Sequence, residues 1–268
     1  LDSLAALIQE TFEVPGLAIG IVLNNELYYA NPLGVQDINS QAPLTTTSLF
    51  HMASVSKPFV ATAIMQLVEA GKLNLNDKLS DHLLYFLMSD KNYQIITLKQ
   101  VLNHSSGIPD VEDYEWDNPQ TDEGAAERYV KSFGEADLDF KPGKDFSYSN
   151  ASFDILADVI SKASGMSFED YMRTYIFEPA GMKNSTFYKP EVPEKIATSP
   201  HGMGDDLQME KLDIYPYNRI HAPSSTLHSN IEDMSRWAQV YLNKGSIDGK
   251  QIFSEASYDL LTKKTRKL

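Results

Sequence analysis

The sequence predicts a mixed α/β domain of the α+β kind, with an antiparallel sheet flanked by helices and a mostly helical remainder. Two observations carry that prediction. The strand-like runs "LAIGIVLN" and "ELYYAN" face each other across Asn24-Asn25, a hairpin signal. Apolar residues then recur at helical spacing through 55–71, 151–165, 167–182 and 231–245. At 268 residues without an internal repeat, the chain is long enough to bury a proper core. The expectation is a single domain over 1–268, with a sheet part in 1–50 and a helical part in 51–245.

Taken in order, "LDSLAALIQETF" is an amphipathic helix broken by Pro15-Gly16, and the hairpin follows. Val60, Ile64, Leu67 and Val68 mark the stripe of the next helix, which stops at Gly71. "ITLKQVLNHSSGIPD" reads as a short helix running into a turn. Residues 112–123 hold six acids and no base around Tyr114 and Trp116, the pattern of a solvated surface excursion, with Tyr114 and Trp116 overhanging the cleft as the less favoured alternative. Pro142-Gly143 makes a turn before "FSYSN", and the helix "ASFDILADVISKASG" ends at Gly165. "SFEDYMRTYIFEPAGM" is another amphipathic helix, 184–226 is loop-rich, and "IEDMSRWAQVYLNKG" is the last clear helix. Trp237 and Met234 on it read as core. A two-stranded hairpin is marginal alone, so it needs partner strands, and few candidates follow residue 245.

Composition narrows the function. The 37 acidic and 23 basic side chains leave a formal charge of −14, a field that repels phosphate backbones and argues against nucleic acid. With no cysteine, disulfides, thiolate metal sites and a cysteine nucleophile are excluded. His201, His221 and His228 lie among loops without ligand spacing, so no zinc site is expected. Neither a phosphate-binding glycine loop nor a dinucleotide fingerprint is present, and no cofactor is expected. No apolar run is long enough for a transmembrane segment. The first residues show neither an initiator methionine nor a basic leader, so any targeting segment is expected either to have been removed or never to have existed.

The chemistry concentrates in "HMASVSKPFVATAIMQLVEAG", where Ser54 and Lys57 form the chain's one S-x-x-K pattern. Pro58 would press its ring on the carbonyl of Ser54 inside a helix, so Ser54 belongs at the helix entrance. There it lies by free backbone N–H groups, with Lys57 one turn on and on the same side. Serine is an ordinary N-cap in such a position. It is also a poor nucleophile until a base such as a partly buried lysine takes its proton. Tyr148-Ser149-Asn150, at a loop-to-helix junction, supplies a second element. Tyr148 could simply pack and Asn150 simply cap the next helix. Alternatively, the phenol relays protons between Ser54 and a leaving group while the Asn150 amide holds a substrate carbonyl. His104, in "NHSSG", reads as a turn residue.

These residues give the chain a resemblance to the penicillin-recognising serine hydrolases. The branch it resembles holds class C β-lactamases, D-Ala-D-Ala peptidases and lactamase-fold esterases. The resemblance runs in order through "LAIGIV", "FHMASVSKPFVATAIMQLVEAGKLNLNDKL", "ITLKQVLNHSSGIPD", "FSYSNASFDILADVI", "YIFEPAGM" and "HSNIEDMSRWAQVYL". It implies a β-lactamase/transpeptidase-like fold and an acyl-enzyme formed on Ser54. Lys57 would be the base, Tyr148 the acid/base partner, Asn150 a ligand for the substrate amide or carbonyl, and the Ser54 N–H half of an oxyanion hole. "HAPSSTL" would form a pocket wall, with Ser225 and Thr226 where class C lactamases tend to carry a bulky aromatic. The implied partner is a small-molecule or peptide substrate: a D-alanyl peptide, a small ester or a β-lactam. The implied setting is the bacterial cell envelope, periplasmic or secreted.

One family element is missing. No Lys/His-x-Gly follows the "EDMSRW" helix, and Lys141-Pro142-Gly143, the one glycine that fits, precedes Tyr148. The sheet strands that carry that motif are therefore expected to lie outside this chain. A relative that keeps the scaffold and binds peptide or cell-wall fragments without catalysis is the alternative reading.

Overall fold

The structure is a computed structural model that describes residues 1–205 and 207–264. Helix α1 (Asp2–Thr11) leads into β1 (Gly16–Leu23) and β2 (Glu26–Asp37), joined through Asn24 and Asn25. Both asparagines have positive φ, 51° and 65°, the twist that a two-residue hairpin needs. The strands pair antiparallel from Leu23↔Glu26 to Gly16↔Gly34, with a bulge at Ile21/Val22. β2 runs on past the predicted "ELYYAN" and pairs with β3 (Ala42–Pro43), giving the order β1-β2-β3. Among the described residues, the other edge of β1 is unpaired.

Helix α2 (Ser56–Glu69) is the axis of the core. Of the predicted stripe, Val60, Ile64 and Leu67 are buried and Val68 is partly buried against the core, with Phe59 and Ala63 buried beside them. Against it pack α3 (Asn150–Ser164) and α4 (Ile231–Leu242). Phe59 stacks on Trp237 at 4.1 Å between centroids and meets Phe177 edge-on at 5.8 Å. Trp237 is core, and Met234, half-buried, packs against that core from the wall of a groove of about 900 Å³ between β1 and α4. Gly20 lets the sheet settle on α4: a Cβ there would stand 2.9 Å from Ile231 Cγ2. The predicted helix at 167–182 is realised as Phe168–Met172, a π turn over Arg173–Phe177, and Glu178–Ala180. After residue 245 a two-residue hairpin (Ser246–Ile247 with Lys250–Gln251) and a helix (Glu255–Thr262) follow, beyond what the periodicity revealed.

Two short strands stitch the halves together. β4 (Phe50–His51) pairs with β5 (His228–Ser229), placing His51 opposite His228. Their rings lie 5.6 Å apart, and the Tyr215 hydroxyl is 2.9 Å from His228 Nε2. Burial holds the His51 imidazole down at about 4 and, with the nearby His51 and Lys189, that of His228 at about 3.

Two predictions follow from this packing. Phe59→Ala removes the ring between Trp237 and Phe177 and should cost about 3–5 kcal/mol, read from urea unfolding. The unfolded chain binds protons at His51 and His228 from about pH 6.5 downward, whereas the folded chain does not until near pH 4. Stability contributed by these sites is complete above pH 6.5 and is lost as pH falls through that window. A His51→Gln, His228→Gln double variant should show a flatter urea midpoint between pH 6.5 and 4.

Candidate active site

Ser54 sits on a 3₁₀ turn, Ala53–Val55, that runs directly into α2. Its side chain caps no backbone group, so the ordinary N-cap role is not the one it fills. Pro58 falls in the first turn of α2, where its missing N–H costs nothing. Ala53, one residue before Ser54, has φ +46°, a left-handed conformation costing on the order of 1 kcal/mol for a residue with a Cβ. The turn is fastened on both sides to the segment after "HAPSST". Met52 N–H donates to the Leu227 carbonyl at 2.7 Å, and Leu227 N–H donates to Ser56 Oγ at 3.0 Å.

Tyr148 and Asn150 arrive by a different route. Ser149 is the true cap of α3, accepting from the Ser152 N–H, which leaves Asn150 as the first helical residue with its side chain free to turn inward. "FSYSN" lies along the "NHSSG" turn. Ser147 N–H donates to the His104 carbonyl at 3.0 Å, and Ser149 N–H to His104 Nδ1 at 3.2 Å. Gly107 lets the backbone at Phe140 approach the same turn, since a Cβ would stand 2.1 Å from the Phe140 carbonyl oxygen and φ is +80°. His104 is the turn residue that the sequence suggests, at φ +57°, and its ring also lies 4.4 Å from that of Tyr148. Burial, then Lys57, push its imidazole down to about 4, so it stands neutral behind Tyr148 at pH 7.

The two routes meet at Lys57. Its side chain is buried, 6 % exposed, whereas Ser54 and Tyr148 open to solvent. Lys57 Nζ lies 3.1 Å from Ser54 Oγ, 2.7 Å from Asn150 Oδ1 and 2.8 Å from the Ser224 carbonyl. Tyr148 donates to Ser54 Oγ at 2.8 Å, and Nζ stands 4.8 Å from the centre of its ring. Ser54, Lys57, Tyr148 and Asn150 therefore form one cluster, although 93 residues separate Lys57 from Asn150.

Three features depart from the sequence reading. Both Asn150 amide protons are engaged within the protein, one by the Tyr114 hydroxyl at 2.8 Å and one by Asp110 Oδ2 at 3.3 Å. Its oxygen takes Lys57, so Asn150 bridges the site rather than presenting an open donor. Tyr114 is not part of a solvated excursion: it turns inward to Asn150, and burial, with Asp110 and Asp154, pushes its phenol up to about 12. Trp116 beside it does stay exposed. Thr226 does not line a pocket wall. It is buried, and its hydroxyl donates to the Phe187 carbonyl, because a buried hydroxyl must find a partner. Ser225 is half-buried and donates to the His221 carbonyl. The member of "HAPSSTL" that reaches the cluster is Ser224, through its backbone, and a carbonyl carries no residue-type signal.

With this geometry in view, comparison with known proteins identifies the family. A family model described as Beta-lactamase matches residues 4–267, and the chain belongs to that family. It is 35 % identical over 191 residues to penicillin-binding protein 4* of Bacillus subtilis (strain 168), covering 69 % of this chain and 41 % of that protein. It is 30 % identical over 234 residues to protein flp of Staphylococcus aureus (strain MW2), covering 86 % and 46 % respectively. The octameric penicillin-binding protein homologue from Pyrococcus abyssi superposes with a TM-score of 0.81 at 26 % identity, over 96 % of this chain and 58 % of that one. The chain thus spans about half the length of these relatives. The fold is the β-lactamase/transpeptidase-like fold that the motifs imply, with helices around small antiparallel sheets. Among the described residues, no helix is long and apolar enough to cross a membrane.

Tyr114→Phe deletes the hydrogen bond that fastens the acidic segment to Asn150. It should cost about 0.5–1.5 kcal/mol and speed amide hydrogen exchange in residues 111–118, while the Ser54–Lys57 contact stays in place.

Proposed function

We propose that this chain is the catalytic part of a serine hydrolase that works through an acyl-enzyme on Ser54. One observation carries the reading: the surroundings of Lys57 Nζ. Two of its three contacts are carbonyl oxygens, Asn150 Oδ1 and Ser224 O, which can only accept. A neutral amine has two N–H groups for those two acceptors. In the structure Nζ donates to Ser54 Oγ as well, and once the amine is neutral its lone pair faces that hydroxyl and can take its proton.

In the proposed cycle, Ser54 Oγ attacks the substrate carbonyl and its proton passes to Lys57 Nζ. The oxyanion gathers by the Ser54 N–H at the front of the turn, where backbone donors have no intrahelical partner. Tyr148 gives its proton to the leaving group, and the phenolate so formed is balanced by the Lys57 ammonium beside its ring. Water then attacks the ester, returning a proton to Tyr148. Ser54 leaves the acyl group and recovers its proton from Lys57. Candidate substrates are D-alanyl peptides, small esters and β-lactams. Ser54 and Tyr148 stand open to solvent, as any of these substrates would require.

Intact mass before and after exposure to a fluorophosphonate and to a penicillin tests this. A single adduct on Ser54, absent in Ser54→Ala, supports the acyl-enzyme. Lys57→Ala should slow adduct formation by about 10²–10⁴-fold with the fold intact by circular dichroism. An unlabelled wild type would sink the reading in favour of a non-catalytic binder, and a Lys57→Ala variant labelled at the wild-type rate would remove Lys57 as the base.

A further inference from the structure

Beneath Lys57 lies a polar pair that acyl transfer leaves unused. Asp154, one turn along α3 from Asn150, is 1 % exposed, and His221 is 3 % exposed. His221 Nδ1 and Asp154 Oδ2 are 2.7 Å apart, and Asp154 Oδ1 accepts the Ser224 N–H at 3.1 Å. The Tyr114 and Tyr129 rings meet the imidazole edge-on, at 4.9 and 5.4 Å between centroids. Burial pushes the Asp154 carboxyl up, and His221, the Ser224 side chain and the Lys57 charge pull against it. A carboxylate removed from water is costly unless polar partners replace the solvent, so packing alone gives no reason for one here.

What the pair holds is Ser224. The N–H of that residue is on Asp154, and its carbonyl is on Lys57 Nζ at 2.8 Å. The turn is also tied to itself, since Ser224 Oγ and Ser225 Oγ both reach the His221 carbonyl. We propose that the Asp154–His221 pair is the positioning element of Lys57, locking the 221–226 turn so that the Ser224 carbonyl aims the amine at Ser54. The proposal rests on the reading of Lys57 as proton acceptor. Neither residue touches the reacting atoms, and both act through Ser224. Without Asp154 the Ser224 N–H loses its anchor, the carbonyl is free to swing, and the Lys57 lone pair loses its direction. A displacement of about 1 Å in such a group can cost about 10²-fold in rate.

The experiment times fluorophosphonate labelling of Ser54 in Asp154→Ala, Asp154→Asn and His221→Phe, each alone and combined with Lys57→Ala. Asp154→Ala and His221→Phe should slow labelling at least tenfold. Asp154→Asn keeps an acceptor for the Ser224 N–H and should restore most of the rate. In the Lys57→Ala background, Asp154→Ala should add no further loss. An equal further loss there, or an Asp154→Asn variant as slow as the alanine, overturns the proposal. Should Asp154→Ala not fold, His221→Phe, which keeps the ring between the two tyrosines, carries the same comparison. If the wild type takes no label, the acyl-enzyme reading falls by itself. Crystal structures of the wild type and His221→Phe then decide the positioning claim: Lys57 leaving the Ser224 carbonyl supports it, and an unchanged contact overturns it.

Discussion

The molecule is organised around the need to satisfy one amine away from water. Lys57 is buried, and a buried amine requires oxygen acceptors close at hand. Three distant stretches supply them: the 3₁₀ turn holding Ser54, the first residue of α3, and the carbonyl of Ser224. Each has its own fastening. The turn is held by β4–β5 pairing and by Leu227, α3 by its Ser149 cap and the "NHSSG" turn, and Ser224 by Asp154. Much of the polar structure of the helical part exists to bring those three oxygens to one point.

The fold was largely legible because its strongest signals are local. Helical periodicity marks α2, α3 and α4, and Asn24-Asn25 marks the hairpin, through backbone preferences that do not depend on the rest of the chain. The continuation of β2 past Pro32 and the helix at Glu255–Thr262 were not legible, because each depends on packing that only the assembled molecule supplies. The π turn over Arg173–Phe177 is hidden for the same reason, since its residues keep an ordinary amphipathic pattern.

In the site, Ser54, Lys57, Tyr148 and Asn150 could be found because side-chain chemistry and order in the chain point to them. Thr226 was misjudged, since sequence gives no sign of which way a residue in a short helical turn faces. Ser224, Tyr114 and Asp154 were missed for different reasons. The first acts through its backbone, the second lies in a stretch whose acids suggest solvent, and the third occupies a position of α3 that periodicity alone leaves as a plain core contact. A buried acid within an apolar helical run was the available signal for the third.

The engagement of Asn150 on all sides has a thermodynamic consequence for recognition. A ligand carbonyl that claims the Asn150 amide proton held by Tyr114 exchanges one neutral hydrogen bond for another of similar strength. Such an exchange changes the standard free energy of association little, so this contact acts as a filter on geometry more than as a source of affinity. Displacing Tyr114 would also loosen the acidic segment that it anchors, and that disorder would appear as a favourable entropy accompanying capture of the ligand. Occupancy at Asn150 and order in residues 111–118 would therefore be two readings of a single equilibrium.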